Sequence, residues 1–265
     1  MIDNIHTPEE IYRTLSNAKI SYGVFHKCLF HLHTPSSYDY KYFETTEKIT
    51  EATLARKCME RGLFPADRKD EFLKLYYDDS IFNDTCEFFA FILIATTLFQ
   101  NEIELVLITD HHTIAGYNKL SNAINFLYKK LNYLGVRDRK LYPVVLLGVE
   151  LSCADKNHVV GIFDNQGKKV EESKKIIDNF LDEYLMDEKD GLYITSREAI
   201  EQIFRRGGIA YIAHINSSSM FSSSEKFLSN AYKTKLFSCT DFHIAGVHKI
   251  EQASSMQSLL EQKSK

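Results

Sequence analysis

Apolar, strand-like runs that end on a histidine or an acid recur along this chain, and they constrain its fold more than any other feature. The clearest is 103–109, IELVLIT, which leads straight into Asp110, His111 and His112. A run apolar on both sides reads as a strand buried on both faces, as in parallel α/β sheets. Residues 143–151, PVVLLGVEL, repeat the pattern and carry Glu150, and 158–163, HVVGIF, begin at His158. A strand at 209–213 delivers His214, and one at 235–240 delivers Asp241 and His243. Helical patterns lie between them at 85–100, 114–134, 169–186 and 196–206. Strand, then ligand-type side chain, then helix is the order of α/β barrels and open α/β sheets, where functional groups gather at the C-terminal ends of strands.

The first such run, 23–33, ends in His31-Leu32-His33 and is followed by Thr34, Pro35, Ser36, Ser37, Tyr38 and Asp39. Side chains at i and i+2 of a strand share a face. The two imidazoles therefore leave the strand side by side, Pro35 stops it, and Asp39 follows as an anionic oxygen donor. Paired imidazoles with a nearby carboxylate match the ligand demands of a first-row divalent metal. One such pair is weak evidence; six ordered strand ends carrying His31/His33/Asp39, Asp110/His111, Glu150, His158, His214 and Asp241/His243 form a constellation.

With 265 residues, 44% of them apolar, the chain is long enough for one substantial core. A net charge of −4 argues against wholesale binding to duplex DNA. Five dispersed cysteines with no CxxC fit a reducing cytoplasm better than a disulfide framework. The polar start MIDNIHTPEE reads as no signal peptide, and the Phe88–Phe99 run is too short for a membrane span. A helix is expected at 7–18, a helical insertion or lid at 40–84, and a C-terminal tail at 251–265, all within a single domain spanning 1–265. The basic loop 137–140 reads as a solvated turn. Arg205 and Arg206 read as a helix-end pair suited to the dipole, and 216–224 as a serine-rich loop.

The ordered motifs HLH…SYD, ITDHHTIAG, GVELS, HVVGIF, GGIAYIAH and CTDFH resemble the PHP (polymerase and histidinol phosphatase) domain family of metal-dependent phosphoesterases. The likeness runs over about residues 25–245, and the HTPSSYDY form is most similar to PHP domains associated with SMC-like or AAA-like ATPases. The resemblance implies a distorted (β/α)7-type barrel holding two to three divalent transition metal ions (Mn, Zn or Fe). It also implies His31, His33, Glu150 and Asp241 at the first metal, with Glu150 bridging to a second held by His158 and His214. Asp39, His111 and His243 would hold a third, with Asp110 fixing a strand end or orienting an imidazole behind them. The implied activity is hydrolysis of nucleotides or single-stranded nucleic acid by a metal-activated hydroxide. The alternatives are a histidinol-phosphate-type phosphatase or a non-catalytic module docking an ATPase. No GxxxxGK[ST] follows Asp241, so an ATPase partner would be a separate chain.

Departures from the family pattern bear on geometry. Ile215 and Asn216 follow His214 where the family has proline, and the interval from His214 to Asp241 has room for one βα unit rather than two. Six strands are legible against the expected seven, so the barrel lacks a strand or holds an irregular one. His112 reads three ways: a proton donor to the leaving group, a grip on phosphate, or a surface histidine.

Overall fold

The computed structural model describes residues 26–41, 50–63, 70, 81–133, 142–163, 169–214, 235–236, 238–241 and 244–246. The expected helix at 7–18, the loops 137–140 and 216–224, His243 and the tail 251–265 lie outside these residues.

The first strand, β1 (Cys28–Leu32), is followed by α1 (Glu51–Glu60), α2 (Thr85–Gln100), β2 (Leu105–Ile108) and α3 (Ala115–Tyr133). Then come β3 (Val144–Ser152), β4 (His158–Phe163), α4 (Lys169–Tyr184) and a small hairpin, β5 (Leu185–Asp187) with β6 (Gly191–Leu192). The remaining elements are α5 (Ser196–Arg205), β7 (Ile209–Ile212) and β8 (Ile244–Ala245). Six strands form one sheet in the order β1-β2-β3-β4-β7-β8.

The parallel pairing read from the 103–109 run holds for part of the sheet. Strands β1, β2 and β3 pair in parallel, and so do β7 and β8, but β4 is antiparallel to both β3 and β7. Only residues 153–157 join β3 to β4, whereas a parallel crossover needs a dozen residues or more. The reversal has a functional consequence. His158 opens β4, so it stands at the same sheet end where the other strands finish.

The sheet is curled into an incomplete barrel. Tyr211 on β7 donates its hydroxyl to the Phe30 carbonyl of β1 at 2.6 Å, although three strands separate β7 from β1 in the sheet. Leu107, Val160, Tyr211 and Ala213 fill the concave side. Helices cover the outside in two clusters. One is Phe88, Phe89, Phe91 and Ile92 of α2 with Leu120 and Ile124 of α3 and Val106 and Ile108 of β2. The other sets Ile177 and Phe180 of α4 and Ile200 and Ile203 of α5 against Val149, Leu151 and Ile212. Leu54, Ala55 and Cys58 of α1, from the stretch read as an insertion, are buried in the first cluster.

Local sequence explains the helix limits. Asp84 caps α2 by accepting from the Glu87 N–H, and Thr195 with Glu198 makes a capping box on α5. Gly207, at φ 80°, ends α5, with its N–H on Phe204 and that of Gly208 on Ile203, a Schellman closure. Arg206 turns back to Glu183 at 2.8 Å and lies over the Phe180 ring. The strand expected at 235–240 is not one. Lys235 and Leu236 are helical and 238–241 is a turn, because Leu236 and Cys239 bury together at a spacing of three rather than alternating. Among the described residues no helix is long and apolar enough to cross a membrane.

One ion pair ties α2 to α3: Lys119 Nζ lies 2.5 Å from the buried Glu87 carboxylate, whose other oxygen accepts from the Asn83 N–H at 2.7 Å. Removing one partner of a buried pair leaves an uncompensated charge at a cost of about 3 kcal/mol. Lys119→Ala is expected to lower the thermal midpoint without changing metal uptake. A melt indistinguishable from wild type would contradict this account of the pair.

Candidate metal centre

The end of β2 builds the floor. The Asp110 carboxylate accepts from the Thr34 N–H at 2.5 Å and from the Thr34 hydroxyl at 2.6 Å, both residues fully buried. This clamps the chain leaving β1 to the chain leaving β2. Burial pushes the Asp110 carboxyl up to about 6, with the Thr34 bonds opposing. Gly116, in the first turn of α3, passes so close that a Cβ would lie 2.1 Å from Asp110 Oδ2 and 2.3 Å from Thr34 Oγ1. Beyond Asp110 the β2–β3 ladder continues, with the Glu150 N–H on the Asp110 carbonyl and the His112 N–H on the Glu150 carbonyl.

Glu150 is the hub. Its side chain is fully buried, and four imidazoles converge on it from β1, β4 and the end of β7. His33 Nε2 is 2.8 Å and His31 Nε2 3.2 Å from Oε2; His158 Nδ1 is 2.8 Å and His214 Nε2 3.2 Å from Oε1. Burial alone would raise this carboxyl, but bonds to His158, His214, His31 and His33 outweigh it and hold Glu150 far below the usual carboxylate range.

The tautomers of two of these rings follow from their outer partners. Tyr211 gives its only proton to the Phe30 carbonyl, so it accepts from His31 Nδ1 at 3.3 Å. His33 Nδ1 faces Asp39 Oδ1 at 3.1 Å and donates to it. In its neutral form each ring therefore turns a bare Nε2 lone pair inward, where the two nitrogens lie 3.1 Å apart beside Glu150 Oε2. Lone pairs and a carboxylate converging without a donor are a ligand set that a cation can fill. Against the effect of burial, Glu150 and Asp39 lift the His33 imidazole to about 9.

Ser37 and Asp39 extend the centre. The buried Ser37 hydroxyl donates to Asp39 Oδ1 at 2.6 Å and accepts from the His111 N–H at 3.0 Å. Asp39 Oδ2 is 3.4 Å from His111 Nε2. Bonds to Ser37 and His33 hold the Asp39 carboxyl low against the effect of partial burial. Burial draws the His111 imidazole down to about 4, leaving it neutral, and its buried Nδ1 has no hydrogen-bond partner among the described residues. Three sets of ligand atoms each lie within 4.8 Å of one another: His31/His33/Glu150, His33/Asp39/His111 and His111/Glu150/His158. These sets can hold divalent cations. The orphaned His111 nitrogen and the inward lone pairs fit such ions.

Of the residues singled out in the sequence, His31, His33, Asp39, His111, Glu150, His158 and His214 come together. Asp241 sits in the 238–241 turn and joins none of the three sets, and His243 lies outside the described residues. His112 is buried rather than on the surface, with both ring nitrogens engaged: Nδ1 on the Glu188 carbonyl and Nε2 accepting from the Ser152 N–H, each at 2.9 Å. It pins the β5–β6 turn to β3. Both His112 (φ 52°) and His214 (φ 31°) have positive φ, a conformation a β-carbon disfavours and one that tertiary structure must impose at functional sites. Sequence reasoning missed Thr34, Ser37 and Tyr211. Two of them stood in view as hydroxyls spaced through HTPSSYD, the third as a tyrosine in an otherwise aliphatic strand.

No family model matches the chain. A protein of Streptococcus pneumoniae serotype 4, strain TIGR4, described only as an uncharacterized protein, is 36% identical over 235 residues, 87% of this chain and 86% of that one. Among solved structures, one from Bifidobacterium adolescentis, described as a candidate metal-dependent phosphoesterase, aligns at 12% identity and a TM-score of 0.39, over 66% of this chain and 78% of that chain. By the extent and identity of the first of these matches, the chain belongs to one family with the pneumococcal protein.

Proposed function

We propose that the chain is a metal-dependent phosphoesterase of the PHP type, hydrolysing nucleotides or single-stranded nucleic acid. The observation that carries this reading is the gathering of four imidazoles on the buried Glu150 carboxylate, two of them with lone pairs fixed inward. His31, His33 and Glu150 are assigned to one ion, Glu150, His158 and His214 to a second, and Asp39 and His111 to a third. Asp241 and His243 are proposed as the remaining ligands on the resemblance alone. Mixed imidazole and carboxylate donors suit Mn, Zn or Fe better than Mg. When bound, such ions supply Lewis acidity toward a phosphoryl oxygen and lower the pKa of water.

The chain's own residues supply placement. Tyr211 and Asp39 fix the His31 and His33 rings in the tautomer a cation needs, and Ser37 fixes Asp39. Asp110 spends its carboxylate on Thr34, so it acts by holding two strand ends in register. The His112 ring could donate a proton only after releasing the Glu188 carbonyl, since its Nδ1 makes that bond.

The test is a substrate panel. Manganese-loaded protein is expected to release mononucleotides from a single-stranded oligonucleotide, to lose this activity on chelation and to regain it when manganese returns. Release of phosphate from small monoesters alone would shift the reading to a phosphatase. Hydrolysis of neither, or hydrolysis indifferent to chelation, would contradict it.

A further inference from the structure

We propose that Tyr38 is a stacking platform through which the centre selects phosphate esters carrying a planar aromatic ring, a nucleobase being the natural case; this rests on the phosphoesterase reading above. Tyr38 lies in the turn after β1 between two buried or bonded neighbours. Ser37 points inward, and Asp39 turns its carboxylate to His33 and His111. Tyr38 itself is 43% exposed. Its ring centroid is 5.0 Å from that of His111, with the planes 32° apart, and 6.2 Å from that of His112, at 33°. One side of the phenol ring thus leans on two imidazoles while the rest faces solvent.

His112 is fixed through both its nitrogens, and the His111 backbone is fixed by Ser37. Among the described residues the contacts given for the Tyr38 side chain are ring contacts, to His111 and His112. His111 belongs to two of the three ligand sets, which places the Tyr38 ring against the centre itself. An exposed aromatic ring beside an anion-attracting centre is the pairing that holds a base and its phosphate together. It does so without reading sequence, because every base has a π-face.

The experiment measures affinity on the manganese-loaded full chain by titration calorimetry, with inorganic phosphate and the non-hydrolysable phosphonate analogues of ribose 5-phosphate and adenosine 5′-monophosphate as probes. Wild type and Tyr38→Phe are expected to bind the nucleotide analogue about tenfold more tightly than the ribose 5-phosphate analogue, on the scale of one base–aromatic stack. Tyr38→Leu is expected to lose that tenfold preference while binding phosphate as wild type does. A nucleotide analogue bound no more tightly than the ribose 5-phosphate analogue, or a preference that survives Tyr38→Leu, would overturn the inference and leave the phosphoesterase reading standing. Equal weakening of all three probes in Tyr38→Leu would make Tyr38 a packing residue for His111 and also overturn it. Failure of phosphate to bind the wild type would overturn the phosphoesterase reading and this inference together.

Discussion

Glu150→Gln is expected to cut phosphoester hydrolysis by about a thousandfold or more, while the far-UV circular dichroism stays native. The amide keeps the shape of the side chain but removes the charge on which His31, His33, His158 and His214 converge. The carboxylate is shared by two of the three ligand sets, so one substitution weakens both. Charge stabilisation by metals in hydrolytic sites amounts to several kcal/mol, and about 4 kcal/mol corresponds to a thousandfold in rate. The amide N–H₂ can donate to the inward Nε2 lone pairs of His31 and His33, but it cannot ligate a cation, so the neutral side chain does not replace the anion. Steady-state rates at saturating manganese, taken beside the dichroism spectrum, check this. Near-normal turnover in Glu150→Gln would refute the assignment of Glu150 as the hub.

The second large effect is expected from a residue that binds nothing. Gly116→Ala puts a methyl group 2.1 Å from Asp110 Oδ2 and 2.3 Å from Thr34 Oγ1, well inside contact distance. Either α3 moves off the sheet or the Asp110–Thr34 clamp opens, and both clamp residues are fully buried. Overpacking costs about 1–3 kcal/mol and a hydrogen bond to a charged group about 1.5–3 kcal/mol, so a loss near 3 kcal/mol follows. For a chain of this size that lowers the thermal midpoint by roughly 6 °C or more. Metal affinity is expected to fall with it, since the clamp sets the strand ends that carry His33 and His111. A variant with wild-type melting and metal binding would show that the helix relaxes freely and that the clamp does not control the centre.

Much of this was legible in the chain itself, and the reasons differ by residue. The long apolar runs at 103–109 and 143–151 became β2 and β3, because burial on both faces leaves a signal that does not depend on distant partners. The convergence of His31, His33, His158 and His214 on Glu150 was legible as strand ends in order. The antiparallel course of β4 was implicit in a connection too short for a crossover, yet a pattern of alternating elements does not encode direction. The 235–240 stretch misled because short apolar spacings fit a strand as readily as a turn onto a core. The parts least visible were those set by tertiary contact alone: the tautomer-fixing bonds of Tyr211 and Asp39, the positive φ at His112 and His214, and the close pass of Gly116. None of these leaves a period or a spacing in the sequence.

The most direct test of the account is the metal content of the purified chain after equilibration with manganese and removal of free ions, read by plasma mass spectrometry for wild type and Glu150→Gln side by side. Three ligand sets predict between two and three bound ions per wild-type chain and a loss of most of them in the variant. Wild-type protein that retains no stoichiometric metal, or a variant that retains as much as wild type, would contradict the convergence on Glu150 as a cation centre.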